Sequence, residues 1–306
     1  MLQQKIAAIE AKRASAKPLP TGSGPFTSSA HFRLQSPTIK PVARRWDHRL
    51  SRESLSQYVS ELKVASRGGG PPSLRPRISL GTGRPATKYF PFTSVQIQAS
   101  SADPETGVHT IQSMACTKGD PAYDLDIAMN YGFSASAPQT LRFITEHVEM
   151  LHDPPYEDWA CAVSCGSTSA LEIAFRLFCD RGDWILLEEN TYPGTIATAK
   201  LQGLQIVSVT VDDLGLCPSD LDHKLQNWNH TKGRKPFLLY TIPCGQNPTG
   251  TTQSVQRREA IYKIAEKHDL FILEDDPYFY LNLGKYSGDR FAPESHFAQE
   301  AGYRKG

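Results

Sequence analysis

From residue 160 to residue 276 the chain alternates short apolar runs with stretches of helical spacing, and this alternation restricts the possible fold more than any other feature. ACAVSCG precedes TSALEIAFRLF, DWILLEE precedes GTIATAKLQG, and LQIVSVTV precedes SDLDHKLQNW. FLLYTIP, a helix around Val255 to His268, and LFILEDD complete the series. A strand buried on both faces has no polar side to alternate, so such runs between helices imply a mostly parallel sheet covered on both faces. The predicted class is α/β, built as three layers α/β/α, with right-handed crossovers.

Bulk properties narrow the partners. The 306 residues carry a net charge of +1, which provides no general attraction for nucleic acid or an anionic membrane. No run approaches the roughly 18 apolar residues of a spanning helix. The six cysteines are scattered and contain no CxxC pair, so reduced thiols are expected rather than a zinc centre or a disulfide framework.

The first part of the chain differs from the rest. Met1 to Ala16 reads as a short, mostly polar helix, followed by dense Pro, Ser and Gly, and residues 1–45 are predicted to be a flexible, solvated arm. Acids are scarce there, as in a mitochondrial presequence, but Glu10 and the Lys-weighted helix argue against one. The expected location is cytoplasmic, with the mitochondrion as the alternative. Residues 46–66 read as a helix ended by SRGGGPPSLRP, and ISLGTGRPATKYFPF as a strand running into a loop. Leu141, Ile144 and Val148 have helical spacing.

In open α/β sheets ligands bind beyond the carboxyl ends of the strands. Four groups of residues fall there. In CGSTSAL, Gly166 permits a tight turn, and Ser167 and Thr168 offer hydroxyls beside the free N–H groups of a helix start, which suits a phosphate. Plain helix capping by Ser167 or Thr168 explains the same residues. In GQNPTG, Asn247 begins a turn at the tip of a strand. LFILEDDPY ends a buried strand in Glu274, Asp275 and Asp276, carboxylates that are costly to bury unless they meet a cation. Tyr192, in ENTYPG, either stacks on a flat ligand or packs in its loop.

Taken in order, ISLGTGRP…YFPF, NYGFSAS…LR, GSTSAL, ENTYPG, GQNPTG and EDDPY resemble the fold-type-I pyridoxal-phosphate (PLP) aminotransferases. Within them the chain is most similar to the fungal aromatic amino acid and 2-aminoadipate group, over about Trp46 to Leu283. The resemblance implies transamination between an amino acid and a 2-oxo acid in a homodimer. It implies that Ser167 and Thr168 hold the PLP phosphate, and that Tyr131 reaches a phosphate in the partner's site. Tyr192 would stack on the pyridine ring, Asn247 and Tyr278 would approach its phenolic oxygen, and Asp275 would pair with its nitrogen. The Asn247–Pro248 bond is expected to be cis. Residues 46–104 would then be an N-terminal helix and substrate-pocket segment, and 105–306 an incomplete PLP-binding large domain. Thr82 and Arg84 depart from the family pattern in a loop that walls the substrate pocket.

The family continues into a Ser-x-Ser-Lys-like segment whose lysine forms the Schiff base with PLP, and then into a small C-terminal domain. After Tyr278 this sequence has only Lys285 and Lys305, neither with the serine-rich approach. The expectation is a truncated chain, a fragment or shortened gene model, with no catalytic lysine, impaired activity and no small domain. If the family's strand order holds, two strands are missing beside the one near Val163, leaving a gap of roughly 10–15 Å lined by unpaired backbone groups. Three alternatives stand beside this reading: another PLP-dependent enzyme such as a lyase or synthase, a non-catalytic relative that dimerises with a full-length one, and a regulatory protein.

Overall fold

The computed structural model describes residues 2–16, 19, 29–34, 39–56, 83, 85–103, 106–121, 123–132 and 134–281. Thr82, Arg84, residues 57–66 of the expected helix, the ISLG strand, Lys285 and Lys305 lie outside the described residues. Along the chain the strands are β1 (Ser94–Ala102), β2 (His109–Thr117), β3 (Trp184–Glu188), β4 (Gln205–Val209), β5 (Val211–Asp212), β6 (Gly215–Leu216), β7 (Leu238–Thr241) and β8 (Phe271–Glu274). The α-helices are α1 (Leu2–Ser15), α2 (Arg52–Leu55), α3 (Leu125–Ala128), α4 (Pro138–Leu151), α5 (Ser167–Phe178), α6 (Pro193–Leu201), α7 (Pro218–Gln226) and α8 (Val255–His268).

The centre is a four-stranded parallel sheet in the order β4-β3-β7-β8. Its two central strands, β3 and β7, bury both faces, as their uninterrupted apolar runs require, while the outer strands β4 and β8 are only partly covered. Ile185, Leu187, Leu238 and Tyr240 face one side, where Leu171, Phe175 and Phe178 of α5 and Ala199 of α6 cover them. Leu186 and Leu239 face the other side, against Leu221 and Leu225 of α7 and Ile261 and Ala265 of α8. Alternation along each strand thus sorts neighbouring residues into two cores, giving the three layers expected.

The predicted strand near Val163 does not form in the described structure. Its backbone N–H groups are taken by loops instead: Val163 donates to the Ala135 carbonyl at 2.9 Å, and Cys161 to Ser29 Oγ at 2.9 Å. An extended segment becomes a strand only when a neighbour supplies its ladder, and here β3 is flanked by β4 and β7.

The helix expected from residue 46 is also corrected. Asp47–Arg49 makes a single 3₁₀ turn, Leu50 and Ser51 are extended, and α2 restarts at Arg52. The interruption has a tertiary cause. Ser51 donates through its N–H to the Leu177 carbonyl at 2.9 Å and through Oγ to the Arg176 carbonyl at 2.7 Å, at the end of α5. Trp46 meanwhile packs edge-on against Phe271, with ring centroids 5.3 Å apart.

Two further departures concern the first third of the chain. The helix within Met1–Ala16 is present as α1, and it touches α4 while most of its residues stay exposed. Arg13 Nε donates to Glu146 Oε2 at 2.9 Å and Lys5 to the Glu149 carbonyl at 3.1 Å, both on α4. The β1–β2 ribbon, nine residues in each strand and antiparallel throughout, was not anticipated. Its turn is closed by Asp103, whose carboxylate accepts the Thr106 N–H at 2.7 Å, with Gly107 at φ +67°.

Candidate functional site

The carboxyl ends of β3, β7 and β8 lie side by side, because β3 pairs with β7 and β7 with β8. The loop after β3 carries Tyr192, the turn after β7 carries Asn247, and the segment after β8 carries Asp275 and Tyr278. α5 runs antiparallel to these strands. Phe178, at its C-terminal end, meets Phe271 and Phe237 at the strand starts, with centroids 4.4 and 6.4 Å away. Its first residues, Ser167 and Thr168, therefore sit at the same end of the sheet as the three loops.

Gly166 opens α5 at φ +94°, a conformation that L side chains rarely adopt, and the helix has no side-chain cap. Neither Ser167 nor Thr168 caps it, so the simpler explanation of these hydroxyls fails. Both residues are exposed, on a first turn whose N–H groups have no intrahelical acceptor. That is a donor set suited to a phosphate.

The turn after β7 is held from below by a buried polar network. Glu188, at the tip of β3, is 1% exposed. Its Oε1 accepts the Thr241 hydroxyl at 2.7 Å, and its Oε2 accepts Gln246 Nε2 at 3.0 Å and the Ile242 N–H at 3.3 Å. Gln246 Nε2 also donates to the Asn190 carbonyl, tying the loop of Tyr192 to the turn of Asn247. On its other side, Gln246 Oε1 accepts both the N–H and the hydroxyl of Thr249, at 2.9 and 2.7 Å. Burial pushes the Glu188 carboxyl above the usual carboxylate range, while its hydrogen bonds pull the other way. The Asn247–Pro248 bond is cis, as the resemblance implied.

The three acids after β8 diverge. Glu274 is exposed. The backbone N–H of Asp275 donates to the Thr241 carbonyl at 3.0 Å, continuing the β7–β8 ladder, and its Oδ2 accepts the Tyr240 hydroxyl at 2.8 Å. The Asp276 carboxyl is pushed up by burial, with the Cys244 thiol and the Arg258 guanidinium opposing. Arg258 in turn donates to Cys244 Sγ at 3.0 Å. Tyr278 packs against the Gly245 backbone, where an added Cβ would stand 3.3 Å from Tyr278 Cβ. Tyr192 bends over Gly194 and is 37% exposed. Tyr131 follows α3 and is 70% exposed.

The strand ends thus bring Ser167, Thr168, Tyr192, Asn247, Asp275 and Tyr278 to the carboxyl end of the sheet. Glu188, Gln246 and Tyr240 support them and were not singled out from sequence, although a Glu and a Tyr inside apolar runs were the available signal. The donor set fits PLP: a carboxylate for a ring nitrogen, an amide and a phenol for a ring oxygen, and hydroxyls at a helix start for a phosphate. Among the described residues there is no cluster of His, Cys, Asp or Glu able to hold a metal ion, and no helix long and apolar enough to cross a membrane.

Comparisons with known proteins agree with this geometry. The family model described as aminotransferase class I and II matches residues 148–292. The aminotransferase swnA of Arthroderma benhamiae is 46% identical over 84% of this chain and 51% of its own length. An aromatic amino acid aminotransferase of Schizosaccharomyces pombe is 36% identical over 83% of this chain and 55% of its own. The crystal structure of aminotransferase Aro8 from Candida albicans superimposes with a TM-score of 0.73 at 35% identity, covering 82% of this chain and 53% of that one. The chain spans about half the length of the curated relatives it matches.

Proposed function

Because the chain belongs to the class I and II aminotransferase family, we propose that its strand-end cluster holds PLP for amino-group transfer from an aromatic or 2-aminoadipate-like amino acid to a 2-oxo acid. Bound there, PLP supplies an electron sink for the electrons left when an amino acid loses its Cα proton. The observation that carries the reading is Asp275. Its carboxylate emerges directly from the β7–β8 ladder, beside the Asn247 turn and at the end of the sheet where α5 begins.

Each side chain has a role of its own. Asp275 keeps the ring nitrogen protonated, and Asn247 and Tyr278 donate to the ring's phenolic oxygen. Ser167 and Thr168 bind the phosphate, and Tyr192 covers a face of the ring. Tyr131, exposed on its own chain, serves the site of a second copy in a homodimer. We read residues 1–45 as an arm, 46–104 as the pocket segment and 105–306 as the PLP-binding domain. We place the protein in the cytoplasm, where its six free thiols stay reduced. No catalytic lysine is assigned within residues 1–306, so these residues grip the cofactor without bonding to it covalently.

The relatives' names support the substrate class, since those from Schizosaccharomyces pombe are named aromatic amino acid aminotransferases. The test is a fluorescence titration of the 306-residue chain with PLP. Asp275→Ala is expected to weaken binding by about tenfold or more, as the loss of a charge-assisted contact does. Borohydride reduction and peptide mapping should find no adduct at Lys285 or Lys305. Unchanged PLP affinity in D275A refutes the assignment, and a lysine adduct refutes the non-covalent grip.

A further inference from the structure

We infer that Tyr240 is a positioning residue, whose buried hydroxyl occupies one oxygen of Asp275 and so presents the other to the ring nitrogen of the bound cofactor. The inference rests on the reading of Asp275 given above and extends it to a residue outside the ligand's own contacts.

The register explains why these two side chains meet. Tyr240 pairs with Leu273 across the β7–β8 ladder, and Asp275 lies two residues further on, hence on the same face. A diagonal neighbour at that offset is within reach of a long aromatic side chain. The Tyr240 hydroxyl spans the offset and donates to Oδ2 at 2.8 Å. Among the described residues it is the one side chain that hydrogen-bonds Asp275. Tyr240 itself is 0% exposed and packs in the core layer formed with α5, so its ring has little freedom. The Asp275 carboxylate, by contrast, sits at a strand end, and the terminal torsion of an aspartate is broad and two-fold. A fixed donor on one oxygen removes that rotation.

The phenol is well chosen for the task. Burial pushes its ionisation far above the ordinary tyrosine range, and the carboxylates of Asp275 and Glu188 act in the same direction, while the neighbouring Thr195 hydroxyl works against them. The phenol is thus held in its neutral, donating form. A donor held on one carboxylate oxygen leaves the other free to accept from a ring N–H.

The experiment compares two ligands of the 306-residue chain: PLP, and its analogue in which carbon replaces the ring nitrogen. Asp275→Ala, Tyr240→Phe and the double variant are each titrated with both, and thermal melts follow folding. Y240F is expected to weaken PLP by roughly fivefold to tenfold, the effect of losing a hydrogen bond to a charged group. It should leave the carbon analogue unchanged and add nothing in the D275A background. Fluorotyrosine at position 240, which keeps the ring and strengthens the donor, should tighten PLP alone, and it serves if Y240F melts too low to titrate. Equal losses for both ligands in Y240F, or none, overturn the positioning role. If D275A itself fails to distinguish the two ligands, it is the Asp275 reading that falls.

Discussion

Replacing Glu188 tests whether the candidate site stands on a buried hydrogen-bond network rather than on its loops. Glu188→Leu keeps the volume roughly constant and removes the acceptors of the Thr241 hydroxyl, the Ile242 N–H and Gln246 Nε2. Gln246 retains the Asn190 carbonyl, so its loss is partial. Thr241 still accepts from Gln253 Nε2 at 3.1 Å, but its own hydroxyl proton loses its acceptor. Two donors in the protein interior are therefore orphaned. At about 1–3 kcal/mol each, the loss is about 2–6 kcal/mol. Removing a desolvated carboxylate works against this, because burying a charge is costly in itself. The donors decide the sign, since they stay behind when the acceptor goes. We expect a net loss of about 3 kcal/mol, a sizeable part of the roughly 5–15 kcal/mol that holds a typical domain together.

The assay is thermal unfolding followed by circular dichroism over a range of pH. For a chain of this size a loss of about 3 kcal/mol lowers Tm by roughly 5 °C. The pH dependence carries a second signature. The folded-state value for Glu188 lies above its ordinary 4.5, so in that window the folded chain binds a proton that the unfolded chain has released. Stability from this group is accordingly highest below 4.5 and falls as pH rises through the folded value. The Leu variant should lack that segment of the pH profile. A loss below about 1 kcal/mol at neutral pH, the level of an ordinary surface change, refutes the claim that the network is dry and obligatory.

Other expectations are independent of Glu188. Gly245→Ala places a Cβ at φ +53° and 3.3 Å from Tyr278 Cβ, so it should destabilise by about 1 kcal/mol and weaken PLP binding, measured by melt and titration together. Ser51→Ala removes the acceptor for the Ser54 N–H and the donor to the Arg176 carbonyl, and should lower stability by about 1–2 kcal/mol in a denaturant titration. Arg49, then His48 and Arg44, hold the Asp269 carboxyl below its ordinary 3.8, so its contribution is present above that value and lost as pH falls through the lower folded one. The Asp269→Asn melt should therefore differ from wild type at neutral pH and converge with it in acid.

What the residues determined by themselves was local: the apolar runs of β3, β7 and β8, the helices between them, and the order of the motifs that mark an aminotransferase. Hydrophobic periodicity is enforced by burial wherever an element lies, so Ile185, Leu186 and Leu187 announce a strand with two covered faces without reference to its neighbours. The Gly166 turn and the cis Asn247–Pro248 bond belong to the same class, being written into short motifs. Pairing and docking were decided elsewhere. ACAVS has the composition of a strand, yet its N–H groups went to Ala135 and Ser29, because a ladder depends on a neighbour that no local pattern specifies. The helix from residue 46 was interrupted at Ser51 by carbonyls at the end of α5, more than a hundred residues away, and α1 was tied to α4 through Glu146 and Glu149. Tyr240 and Asp275 are 35 residues apart, and only the register of β7 on β8 sets one beneath the other. Sequence pattern reports what each segment must bury, whereas hydrogen-bond partners between distant segments exist only once the chain has closed on itself.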